Sequence, residues 1–79
     1  MAQIPNNKVK AACVLNERVA SLLDDGYRVM FRASGFYSDM WYVSLRHKNG
    51  HKVTITAYWK ANKIVQKTDG RVTHEGSLY

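Results

Sequence analysis

Two histidines flank a turn in the most regular part of this chain, MWYVSLRHKNGHKVTITAYW, residues 40–59. His47 and His51 bracket Lys48-Asn49-Gly50. Across an antiparallel hairpin they stand opposite one another, where paired imidazoles are able to hold a metal ion. A closed site needs further ligands, and no third donor lies nearby in the sequence. Titratable residues at a hairpin tip are the expected reading. His74 lies further on, in RVTHE. Asp24-Asp25 is the only adjacent carboxylate pair, and it sits where a helix should end. Asp39 falls near the base of the hairpin without a matching acid. Cys13 lies in an apolar run and is expected to be a buried thiol. A single cysteine forms neither an internal disulfide nor a zinc framework. Phosphate-loop and dinucleotide fingerprints are absent. The chain is therefore expected not to be an enzyme, with no catalytic residues, no metal and no cofactor.

The remaining candidate chemistry is electrostatic. The 79 residues carry 12 Lys/Arg against 6 Asp/Glu, a formal charge of +6. Residues 1–26 are balanced, with three of each sign. Residues 27–79 carry nine basic residues against three acidic ones, so all the excess lies there. Such a bias favours an anionic partner.

The elements that would position these charges follow from periodicity. Ala12, Leu15, Val19, Leu22 and Leu23 recur at helical spacing, which predicts a helix over 8–25. Asn7 is suited to cap its start and Gly26 to end it. A shorter helix from Glu17, capped by Asn16, is the alternative. YRVMFRA then reads as a strand, with Val29, Phe31 and Ala33 on one face and Arg28, Met30 and Arg32 on the other. A loop follows at 34–39, in which Phe36 and Tyr37 are expected to fold over the core edge.

Register decides the faces of the hairpin. A two-residue Asn49-Gly50 loop would place the apolar sets of its two strands on opposite faces. A three-residue Lys48-Asn49-Gly50 loop pairs Leu45 with Val53, Val43 with Ile55 and Trp41 with Ala57. It also puts Gly50 where a G1 bulge needs a positive φ. The bulged hairpin is therefore predicted. KANKIVQK reads as a strand or a helical turn, and Asp69-Gly70 as a turn, so a short final hairpin is the preferred ending.

Together these elements give an α+β fold, one N-terminal helix packed on a small antiparallel sheet of three to five strands. It forms a single compact domain over 1–79, with 1–6 and 76–79 free to fray. The apolar fraction of 46% suits a globular chain. The N-terminal stretch lacks a signal peptide's apolar core and no window is long enough for a membrane span, so a cytoplasmic location and no membrane partner are expected.

The helix is expected to cover Val29, Phe31, Trp41, Val43, Leu45, Val53, Ile55 and Ala57. Period two leaves Arg28, Met30, Arg32, Met40, Tyr42, Ser44, Arg46, Lys52, Thr54, Thr56, Tyr58 and Lys60 on the open face, without a carboxylate. The binding residues expected from this set are Arg28, Arg32, Tyr42, Arg46, Lys52, Tyr58 and Lys60. Cations there contact phosphates and tyrosines stack on bases, a chemistry that resembles surfaces on which single-stranded RNA lies. The leading expectation is a small basic nucleic-acid-binding protein, single strands favoured. The alternative is a protein-binding module, such as an inhibitor or regulator docking on an acidic surface, because methionine and tyrosine also suit protein contacts. Open sheet edges further allow a homodimer.

Overall fold

The computed structural model describes residues 7–35 and 39–78. Helix α1 (Asn7–Asp24) precedes five strands, β1 (Tyr27–Gly35), β2 (Met40–His47), β3 (Lys52–Tyr58), β4 (Lys63–Thr68) and β5 (Arg71–Ser77). The strands form one antiparallel meander in the order β1-β2-β3-β4-β5. This is the α+β architecture expected, with the final hairpin present as β4 and β5. The expectations for Phe36, Tyr37, residues 1–6 and Tyr79 lie outside the described residues.

The longer helix is the one that forms, because its apolar residues can bury only as one continuous stripe. Ala11, Leu15 and Val19 are buried at steps of four residues, with Val14 and Leu22 half-buried beside them. The stripe is turned slightly from the expected one. Leu23 is 46% exposed, and Cys13 is exposed rather than buried. Asn16 lies mid-helix and caps nothing. The helix ends in a tightened turn, with Asp25 N–H donating to the Leu22 carbonyl (3.0 Å) and Gly26 N–H to that of Leu23 (3.0 Å). Gly26 has φ +97°, the left-handed position expected of it.

Helix α1 lies over β1, β2 and β3. Beneath it Val43, Leu45, Val53, Ile55 and Ala57 are buried, joined by Ile64 and Leu78. Near the end of the chain Leu78 is sealed into this core and its N–H donates to the Asn62 carbonyl (3.2 Å). Trp41 and Trp59 pack together with ring centroids 5.2 Å apart. Trp41 Nε1–H donates to the Lys8 carbonyl (3.0 Å), and the Lys8 ammonium lies 5.6 and 5.3 Å from the two ring centroids. Both indoles are thus committed to holding the start of the helix.

The β2–β3 hairpin has the predicted three-residue loop. Leu45 faces Val53, Val43 faces Ile55 and Trp41 faces Ala57. The loop closes through His47 N–H to the His51 carbonyl and Gly50 N–H to the His47 carbonyl, both 2.9 Å, with Gly50 at φ +99°.

The first strand departs from expectation. Val29 pairs with Leu45, but Phe31 pairs with Ser44, so a β-bulge leaves Met30 without a cross-strand partner. Residues opposite one another share a face. Beyond the bulge, Arg32 therefore shares the helix side with buried Val43, while Phe31 and Ala33 share the open side with Ser44 and Tyr42. Arg32 Nη1–H reaches Asn16 Oδ1 of α1 at 3.4 Å, which agrees with this placement. The expected positions of Phe31 beneath the helix, of Ala33 on the same face as Val29, and of Arg32 on the open face are corrected accordingly. A simple alternation fails because the extra residue reverses the pleat.

Gly26 also carries a close approach. A Cβ built there would stand 2.8 Å from His47 Nε2. Gly50 has open space around it. Gly26→Ala and Gly50→Ala should both lose about 1–2 kcal/mol for a side chain at left-handed φ, and Gly26→Ala should lose more because His47 must move. Urea unfolding of the two variants measures the difference. Equal losses would show that the imidazole yields without cost.

Candidate functional site

The open face is built in rows across the strands. At one end Arg28 faces Arg46, and Arg46 faces Lys52. The next row runs Phe31, Ser44, Thr54, Lys67 and Val72. The third runs Ala33, Tyr42, Thr56, Val65 and Glu75, and the fourth includes Met40, Tyr58, Lys63 and Ser77.

Five of the seven sequence-predicted residues, Arg28, Tyr42, Arg46, Lys52 and Tyr58, thus share this face. The other two do not join them. Arg32 is on the helix side. Lys60 lies past the end of β3, where its ammonium pairs with Asp39 at 3.5 Å. The face is also not free of carboxylates, because Glu75 enters it from β5 and pairs with Lys63 at 2.8 Å. That contact holds the Glu75 carboxyl below its ordinary value and raises the Lys63 ammonium.

Sequence reasoning missed Phe31 and Lys67. Phe31 is 58% exposed, and its ring meets Tyr42 edge-on with centroids 6.1 Å apart. Phe31, Tyr42 and Tyr58 form a diagonal, each one strand over and one row along from the last, a step of about 8 Å from sheet spacings. Beside this diagonal, Met30 (61% exposed), Arg46 and Lys52 surround buried Ser44 in a shallow depression. A broader groove of about 590 Å³ adjoins it, lined by Leu23, Gly26, Tyr27, Arg28, Met30, Arg46, His47 and Lys48. Met30 and Arg46 belong to both.

The two hairpin histidines do not converge. Asn49 N–H donates to His47 Nδ1 (3.1 Å), so the neutral ring carries its proton on Nε2 and donates it to the Asp25 carbonyl (3.1 Å). This ties the end of α1 to the β2–β3 turn. His51 Nδ1 instead contacts Asp69 Oδ2 at 2.7 Å. Asp69 Oδ1 accepts from Lys52 N–H (3.0 Å), and Asp69 N–H donates to the Lys52 carbonyl (2.8 Å). One carboxylate therefore locks the β4–β5 turn to the start of β3, where Lys52 joins the basic row. Among the described residues, no group of three or more histidine, cysteine or acidic side chains is placed to hold a metal ion, and no helix is long and apolar enough to cross a membrane.

Comparison with known proteins found no matching family model, no matching curated protein and no matching solved structure.

The Lys52 N–H bond first, and His51 second, hold the Asp69 carboxyl below its ordinary 3.8. A carboxylate with a depressed folded-state pKa stabilises the fold above its unfolded value and loses that contribution as pH falls through the folded one. Lowering the pH from about 5 to about 3 should therefore destabilise the wild-type chain more steeply than Asp69→Asn, whose side chain does not titrate. Urea midpoints across that range provide the comparison. Identical pH slopes would remove Asp69 from the turn's stability.

Proposed function

We propose that this protein binds single-stranded nucleic acid along the open face of its sheet. The observation that carries the reading is the cross-strand row Arg28–Arg46–Lys52 beside the Phe31–Tyr42–Tyr58 diagonal. Like charges directly opposite one another destabilise a sheet. An anion lying over them would relieve that repulsion. Aromatic rings on three neighbouring strands give unpaired bases a surface to stack on, and they read no particular sequence. Thr54 and Thr56, half-buried between the two sets, offer hydroxyls to sugar or phosphate. A duplex, with its bases already stacked, would use the cations but not the rings. The reading involves binding without catalysis.

One observation favours a second reading. Met30 and Phe31 are both exposed on an edge strand, an adaptable apolar pair next to Arg28. They would also suit an acidic protein surface bearing an apolar spot. A pull-down after nuclease treatment distinguishes the two, since only a protein partner survives that step.

Fluorescence anisotropy with labelled oligothymidylate tests the first reading. Affinity should fall linearly in log–log form with salt, with a slope of about −2 to −3 if three or four phosphates are neutralised. Tyr42→Ala and Phe31→Ala should each weaken binding by about 1–3 kcal/mol. Arg46→Ala should weaken it and flatten the salt slope by roughly 0.7. Arg32→Ala, altered on the other side of the sheet, should leave affinity unchanged. No binding at low salt would end the proposal, and equal losses from Arg32→Ala and Arg46→Ala would move the site.

A further inference from the structure

We infer, resting on the single-strand reading above, that the basic end of the open face is a subsite for a terminal phosphate monoester of the bound strand. The charge on this face is not spread evenly. At the Tyr58 end Lys63 is already matched by Glu75 at 2.8 Å, and Lys60, just past the end of β3, by Asp39 at 3.5 Å. Toward Phe31 this compensation stops. Arg28, Arg46, Lys48 and Lys52 line the two adjoining depressions, and no carboxylate lines either of them. The nearby Asp69 is engaged by His51 and the Lys52 backbone. His47, held by the Asp25 carbonyl and the Asn49 N–H, forms part of the groove wall.

The position of this cluster is as informative as its charge. Arg28 and Arg46 stand one row beyond Phe31, at the end of the aromatic diagonal. Past them lie the last ladder pair, Tyr27–His47, and then the turn at Gly26 and the loop at Lys48–Gly50. A strand stacked on Tyr58, Tyr42 and Phe31 therefore runs from compensated charge into uncompensated charge, and there the sheet stops. An internal phosphodiester has one negative charge. A terminal phosphate monoester has about 1.5 to 2 near pH 7 and three acceptor oxygens. Paired guanidiniums are the side chains best shaped to meet those oxygens. Adjacent strands lie about 4.8 Å apart, so Arg28 and Arg46 begin close enough to grip a single phosphate from one side. Exposed Met30 and Leu23 give the groove apolar walls against which the terminal sugar would rest.

The same phosphate chemistry is offered by a chain terminus, a free mononucleotide and inorganic phosphate. The test uses the full chain and three labelled decathymidylates, with a 5′-phosphate, a 3′-phosphate or neither. Inorganic phosphate and thymidine monophosphate serve as competitors. One phosphorylated form should bind about tenfold more tightly than the unphosphorylated one, the factor supplied by one added charge-assisted hydrogen bond. Arg46→Ala should abolish the preference, and Arg32→Ala should keep it. Both side chains are exposed, and circular dichroism melts verify that each variant is folded. Equal binding by all three oligonucleotides overturns the terminal-phosphate subsite while leaving the sheet as a single-strand surface. Binding by none overturns both. Displacement of the phosphorylated strand by inorganic phosphate or the mononucleotide at matching concentration would assign the cluster to a free phosphate instead, and so overturn a chain-end site.

Discussion

Met30 has no partner across the β1–β2 ladder, and that one unpaired residue reverses the pleat of everything after it in β1. Before the bulge, Val29 belongs to the core and Arg28 to the open face. After it, Arg32 takes the helix side and Phe31 the open side. The exchange makes physical sense on both surfaces. Arginine can run its methylene stem along apolar neighbours and still place its charge at the rim. Arg32 lines a hollow together with Leu15, Trp41 and Val43, and its guanidinium meets Asn16 of the helix. Phe31, put outside, gains Tyr42 as an edge-on neighbour and becomes the first ring of a diagonal. Without the bulge the sheet would present three arginines and two tyrosines. With it, the face has fewer cations and a third aromatic ring.

The parts of the fold legible in the sequence were those with a repeated constraint. The α1 stripe recurs every four residues. The β2–β3 hairpin has two apolar sets that can share a face only with a three-residue loop, and Gly50 sits where that loop needs it. By contrast YRVMFRA holds three apolar residues in a row, Val29-Met30-Phe31, and such a run does not say where an extra residue is inserted. A bulge needs no glycine when its extra residue stays in ordinary backbone space, so period-two counting carried Arg32 and Phe31 to the wrong sides. Lys60 was misplaced for a different reason, because strand β3 stops at Tyr58 and the chain turns. Glu75 and Lys67 could not be seen as members of the face until the last hairpin was placed. Cys13 was misread because the apolar run around it is wider than the stripe the helix buries.

The electrostatic layout reflects how this small sheet is joined up. Carboxylates are spent on structure. Asp69 locks one turn to the start of β3, Glu75 bridges β5 to β4, and Asp39 meets Lys60 beside the base of the β2–β3 hairpin. The end of α1 is held by an imidazole rather than by an acid. What remains without a carboxylate partner is concentrated where β1, β2 and β3 present Arg28, Arg46 and Lys52 side by side. On the helix side Lys8 is engaged by the tryptophan rings, Arg18 by Gln66 and Arg32 by Asn16. The two faces of the sheet therefore differ in build, one covered by the helix and one left open with rings and cations.

The most direct measurement is aromatic side-chain NMR of labelled protein titrated with a short unphosphorylated oligothymidylate. The rings of Phe31, Tyr42 and Tyr58 should shift together and saturate at one affinity, while the indoles of Trp41 and Trp59 stay in place. Shifts confined to the tryptophans, or a Phe31 ring showing contacts to Leu15 and Val19 in the free protein, would contradict both the bulged register and the face built on it.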